Sequence, residues 1–178
     1  KNTFKLASEL DQYNKERQIL EKDLLQKILN ETKNYSNDPV LILAGSNWHE
    51  GIIGIVASRL KDKFNKPVVI ISLNGDEGKA SARSIIGFDI GSVIIAATQE
   101  NILLKGGGHK MAGGFSIKAK NIEKFKNFVF RKFKNLNEDL TSKKPLFLDS
   151  IISPSAVNLE FYRKISLLSP FGSGNPEP

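Results

Sequence analysis

The sequence predicts an α/β fold: a mixed, mostly parallel central sheet with helices on both faces, preceded by a long connecting helix. Three observations carry this reading. Two short apolar runs, VLILAG (Val40 to Gly45) and VVIIS (Val68 to Ser72), flank a stretch of helical periodicity. The segment KASARSI alternates strictly, as a strand with one polar face does. Long amphipathic patterns open the chain and recur over residues 122–136.

Taken in order, Phe4 to about Asn30 reads as one helix, because Leu6, Leu10, Tyr13, Leu20, Leu24 and Ile28 recur at three-to-four spacing or its multiples. ETKNYSNDP is a polar, turn-rich linker. Val40 to Gly45 is a buried strand, SNWHEG a loop, and Ile52 to Phe64 a helix with Ile52, Val56, Leu60 and Phe64 on one stripe. Asn65-Lys66-Pro67 ends it, and Val68 to Ser72 is the next strand; strand, helix, strand at this spacing gives a parallel pair with a right-handed crossover. LNGDEG is a turn. In the strand that follows, Lys79, Ser81 and Arg83 share one face and Ala80, Ala82 and Ser84 the other. Gly91 to Leu103 is an apolar helix, Lys105 to Met111 a glycine-rich loop, and Gly113 to Lys118 a strand. Asn121 is placed to cap a helix that turns Ile122, Phe125, Phe128 or Val129, and Phe133 inward. Pro145 to Ile152 reads as a strand, and residues 153–168 as a helix with Ser153 as cap and Pro154 at its first position.

Composition narrows the function. With 40% apolar and 25% charged residues, the 178-residue chain can build a core. It has no cysteine, which excludes a disulfide framework and a thiolate metal site. No apolar run approaches the ~20 residues that span a bilayer, and KNTFKLASEL has no signal-peptide pattern. The expected setting is a reducing cytoplasm, with no membrane partner. Both ends read as cuts within a longer protein. A net charge of +7 points to a polyanion, with nucleic acid first among them.

Three places could hold chemistry. SNWHEG lies beyond the carboxyl end of a strand and leads into a helix N-terminus, where free N–H groups favour an anion; there His49 and Glu50 face a ligand, or Ser46 or Asn47 simply caps the helix, Trp48 packs and His49 is incidental. Ser81 and Arg83 point the same way, a hydroxyl beside a guanidinium fork that suits a terminal phosphate, or else a solvated sheet edge. In KGGGHKMAGGF, glycine must be offset by a turn needing positive φ or by a ligand approaching bare backbone. Gly106, Gly107 and Gly108 would admit a phosphate, with His109 and Lys110 beside it. Other features are missing. The two histidines are 60 residues apart, no Asp/Glu/His cluster has metal-ligand spacing, and no Ser-His-Asp arrangement is visible. The chain reads as the half of a site that holds substrate.

SNWHEGIIGIVASRLKDKFNKPVVIIS, then GKASARSIIGFDI, then GGGHKMAGGFSI, in that order and spacing, resemble the DHH-associated domain of the RecJ family of single-strand-specific 5′→3′ DNA exonucleases. LDQYNKERQILEKDLL resembles the family's helix from the catalytic DHH domain, and PFGSGNPEP its lead into an OB-fold domain. The resemblance covers nearly the whole chain. WHEGIIGIVASRL and PFGSGNPEP are its most specific parts, and GGGH is shared with related phosphoesterases.

The resemblance implies three parts: 1–38 as connecting helix and linker, 39–143 as the DHH-associated domain, and 144–178 as a strand and helix leading toward the OB-fold domain. It implies single-stranded DNA as partner, together with the DHH and OB-fold domains and further DNA-repair proteins, in DNA recombination and repair. Mn²⁺ or Mg²⁺ would be held by the DHH domain and no metal by this chain, which alone would be inactive. The family's Gly-Ser-Gly-Arg-Ser stands here as Ala80-Ser81-Ala82-Arg83-Ser84. Ser81, Arg83 and Ser84 would contact the 5′-phosphate, His109 would contribute to the active site from this side, and Trp48 and Phe88 are the candidates for base stacking. Alanine replaces both glycines of that pattern, and Met111-Ala112-Gly113-Gly114 departs from the family's usual Ala-Ala-Gly. Two alternatives stand beside this: the corresponding domain of an oligonucleotide or cyclic-dinucleotide phosphodiesterase, and a non-catalytic nucleic-acid-binding module.

Overall fold

The computed structural model describes residues 2–31, 37–136, 148–172 and 174–178. The chain divides into two compact units, Lys1–Ser142 and Lys143–Pro178. The first holds a five-stranded sheet with helices on both faces. Its elements are α1 (Asn2–Glu31), β1 (Leu41–Ser46), α2 (Glu50–Phe64), β2 (Val68–Asn74), β3 (Glu77–Arg83), α3 (Ile90–Gln99), β4 (Lys105–His109), β5 (Ala112–Lys118) and α4 (Ile122–Lys134).

The sheet order is β1-β2-β3-β5-β4. Only β1 and β2 pair in parallel, joined through α2 as the spacing predicts. The other three pairs are antiparallel, which corrects the mostly parallel expectation. For two of them, β2 with β3 and β4 with β5, the reason lies in connection length. Gly75 and Asp76 alone join β2 to β3, and Lys110 and Met111 alone join β4 to β5. Two residues close a hairpin, whereas a parallel crossover needs a dozen or more. Gly75 supplies the positive φ, +60°, of the first hairpin.

Alternation along the strands divides the core. On one face Leu41, Leu43, Val68 and Ile70 pack with Ile52, Ile53, Val56, Ala57 and Leu60 of α2 and with Leu24 and Ile28 of α1. On the other, Ile42, Val69, Ile71, Ala80, Ala82, Phe115 and Ile117 pack with α3 and α4 through Ile90, Ile94, Phe125, Phe128 and Val129. The apolar stripe of α1 is buried only at Leu24 and Ile28; Leu6, Leu10, Tyr13 and Leu20 are exposed. Glu21, buried near the start of that contact, lies between Arg17 (3.0 Å) and Arg59 of α2, so two guanidinium groups compensate one desolvated carboxylate.

Several helix ends differ from expectation. The α2 cap is His49, whose Nδ1 accepts from the Gly51 N–H at 3.1 Å, rather than Ser46 or Asn47. Asn121 occupies the α4 cap position without a side-chain cap bond; its Nδ2 donates to the Ile102 carbonyl at 3.0 Å. In the second unit the expected helix over 153–168 splits into a 3-10 turn, Pro154–Ala156, and α5 (Leu159–Ser166), capped by Asn158. The strand expected over 145–152 lies partly outside the described residues, and Leu148 to Ile152 is not strand.

Candidate functional site

Register builds the site. Residues directly opposite in an antiparallel pair project to the same face. Three lateral rows therefore run from β3 across β5 to β4: Arg83–Ala112–His109, Ser81–Gly114–Gly107 and Lys79–Ser116–Lys105. These rows are on the α2 side of the sheet. The result is a trough with a floor of small residues and a rim of cations and one histidine. Arg83 and His109 end one row, two strand spacings or about 10 Å apart.

At one wall Arg83 donates from Nη1 to Ser81 Oγ at 3.1 Å and to the Ala82 carbonyl at 2.8 Å. Both side chains run beside Gly54 of α2. A Cβ there would sit 3.0 Å from Ser81 Oγ and 3.1 Å from Arg83 Nη2, so a helix glycine makes the space the guanidinium uses. Lys79 is neutralised by Glu50 at 2.7 Å. Half-buried Arg83 has no carboxylate partner among the described residues. A guanidinium held by neutral acceptors alone keeps its charge available for an anion.

The glycine cluster is the strand β4 rather than a loop, and its members do two jobs. A Cβ on Gly106 would lie 2.6 Å from Phe115 Cβ and 2.7 Å from Ile94 Cγ2. One on Gly108 would run into the backbone of Ala112 and Gly113, and one on Gly113 into Ile94. Gly91 of α3 comes as close to the backbone of Gly108 and His109. These glycines let α3 pack tightly on the β4–β5 ribbon. Gly106 and Gly108 thus turn their side-chain positions to the face away from the trough. Gly107 is different: nothing lies within 4 Å of a Cβ built on it, and Gly114 opposite would meet only the Ala80 carbonyl, at 3.4 Å. The fold does not require glycine at these two positions, and they leave bare backbone at the centre of the trough.

Three other expected contacts lie elsewhere. Ser84 is 1% exposed and donates to the Phe88 carbonyl at 2.6 Å, on the face of Ala80 and Ala82. Trp48, 7% exposed, packs over Gly45, and its carbonyl accepts from Ser72 Oγ at 2.5 Å. Phe88 is buried against Phe133. Neither aromatic is free to stack on a base. Lys110 lies in the β4–β5 turn, close enough to Asp89 to help lower its pKa. His49 is exposed but serves as the α2 cap, an arrangement that puts the ring proton on Nε2. Sequence reasoning missed Gly54, Gly114, Ser116 and Lys105. Only the strand register, which aligns them with Ser81 and Arg83, could have signalled the last three.

No group of three His, Asp or Glu side chains that could hold a metal ion occurs among the described residues. The trough's residues, cations, glycines, serines and one histidine, do not form a ligand set for a divalent cation.

Residues 37–135 match the DHHA1 domain family. Along 97% of its length the chain is 32% identical to the single-stranded-DNA-specific exonuclease RecJ of Bacillus subtilis and 31% identical to that of Thermus thermophilus, spanning 22% and 24% of those proteins. The crystal structure of Thermus thermophilus RecJ in complex with Mn²⁺ matches with a TM-score of 0.81 at 31% identity, over 97% of this chain and 25% of that one. The chain therefore spans about a quarter of these relatives. The sheet, the order of its motifs and these matches agree: the chain belongs to the DHHA1 domain family, in the form found in RecJ exonucleases.

Proposed function

We propose that this chain is the substrate-holding side of a RecJ-type exonuclease and that the trough takes the 5′-phosphorylated end of single-stranded DNA. The observation that carries the reading is the half-buried Arg83, without a carboxylate partner among the described residues, beside Ser81 and above the bare floor of Gly107 and Gly114. The guanidinium offers a fork of N–H donors to a terminal phosphate, and the Ser81 hydroxyl a further donor. With no Cβ at Gly107 or Gly114, a sugar-phosphate chain can lie against the sheet. His109, one strand spacing beyond Ala112, would face the next phosphodiester. Bond cleavage would need groups outside this chain; the divalent metal named for the structural relatives would be held there. In this reading the parent protein works in DNA recombination and repair in a bacterial cytoplasm. The parts 1–38, 39–143 and 144–178 serve as connector, DHH-associated domain and lead toward an OB-fold domain.

Fluorescence anisotropy tests this with a short single strand bearing either a 5′-phosphate or a 5′-hydroxyl. The phosphate should bind more tightly, and Arg83→Ala should remove the preference. A charge-assisted hydrogen bond is worth about 1.5–3 kcal/mol, so the loss should be about tenfold or more. Equal binding of both ends by the unmodified chain would sink the assignment.

A further inference from the structure

The chain's net charge is not spread over its surface. Lys118 to Lys134 contains seven of the 26 cationic residues and one of the 19 acidic ones. That is a net +6 of the total +7, so the rest of the chain is almost neutral. The segment is α4 with its entering turn. Phe125, Phe128 and Val129 bury one face of the helix. On the exposed side Lys120, Lys124, Asn127, Arg131 and Lys134 follow at intervals of four and three, a single stripe about 20 Å long. Lys118 and Lys132 flank it.

None of Lys118, Lys120, Lys124, Arg131, Lys132 and Lys134 is in an ion pair among the described residues. Arg131 and Lys132 instead lie 5.9 and 5.4 Å from the centre of the Phe128 ring. Phe125 and Phe128 pack with Ala80, Ala82 and Phe115, whose side chains leave the sheet opposite Ser81 and Arg83. The stripe is therefore on the far side of the sheet from the trough. The second unit does not supply a counter-charge, since it carries four cations and three acids.

We propose that α4 is a second nucleic-acid contact, one that grips the phosphate backbone without reading sequence or strand end. The occupant is a polyphosphate strand rather than an acidic peptide. A peptide seated on a helix face anchors through apolar side chains, and the stripe offers cations and one asparagine. Cations set about one turn apart, none of them ion-paired among the described residues although Glu123 lies beside the stripe and Glu100 near Arg131 and Lys132, suit a regularly charged polymer, and neutralising its phosphates releases counterions.

The test uses the full chain and a single strand of about 30 nucleotides with a 5′-hydroxyl, so end recognition by Arg83 has no part in the outcome. Lys120, Lys124, Arg131 and Lys134 are changed together to glutamine, a comparable helix former. A control with the same net charge changes Lys5, Lys15, Lys22 and Lys27 of α1 to glutamine. The α4 variant should bind at least tenfold more weakly in low salt. Its slope of log affinity against log salt should be shallower by up to about 3, at ~0.7 per lost phosphate contact on a single strand, with the control near wild type. Equal losses in both variants would reduce the effect to overall charge and overturn the proposal. So would an unchanged α4 variant, the result expected of a helix that docks an acidic protein, or the absence of wild-type binding.

Discussion

Two neighbouring glycines on β4 face opposite constraints. Gly107 is open on the trough side, and Gly108 is closed by the backbone of Ala112 and Gly113. Alanine at Gly107 should leave stability unchanged or raise it by up to about 1 kcal/mol, because glycine in a strand costs roughly that much. The added methyl would stand on the floor of the trough and weaken strand-end binding. Alanine at Gly108 should cost about 1–3 kcal/mol, as overpacking against rigid backbone does. Thermal melts paired with anisotropy separate the two effects. If Gly107→Ala bound DNA as the wild type does, the bare floor would have no role in binding.

Helix α3 shows how one cap serves a larger assembly. Asp89 accepts from the Ser92 N–H at 3.0 Å and begins the helix that packs on the β4–β5 ribbon. Its pKa is lowered, first by that backbone hydrogen bond, which desolvation partly opposes, and then to a lesser degree by the Ser92 side chain, Lys110 and the Gly91 N–H. A depressed carboxylate pKa stabilises the fold above the unfolded-state value, and this contribution is lost as pH falls through the folded-state value. Asparagine caps a helix almost as well but does not titrate. Melting temperatures of the wild type and Asp89→Asn, followed from neutral pH to well below the ordinary carboxylate range, should show the wild type losing its advantage on acidification. A pH-independent difference would show that the charge of Asp89 does not matter to the cap.

At the scale of the whole molecule, every buried apolar side chain of the described residues lies between Leu24 and Val129. Both core clusters therefore belong to the unit Lys1–Ser142. A chain ending at Ser142 should melt cooperatively and close to the full-length temperature. A broad, non-cooperative transition on calorimetry would show that residues 143–178 complete the core. Within the first unit the helical layers have separate tasks. α2 and α1 cover one face of β1 to β3 and leave the trough open over β5 and β4, while α3 and α4 close the other face and place the cationic stripe there.

Much of this was legible in the residues. The βαβ unit, the polar face of Lys79, Ser81 and Arg83, and the inward residues of α4 follow from periodicities of 2 and 3.6, which are local properties of the backbone. The antiparallel pairing of β2 with β3 and of β4 with β5 was also encoded, in two-residue connections too short for anything but hairpins, whereas the seating of β5 beside β3 was not. What the tertiary structure alone decided was which glycines face the open trough and which face a helix. Gly106, Gly107 and Gly108 are identical in sequence, and only their alternation across β4, set by pairing with β5 and by the seating of α3, tells them apart. The same holds for Trp48 and Ser84, which read as contact residues but are core: burial depends on what packs against a side chain from elsewhere in the chain.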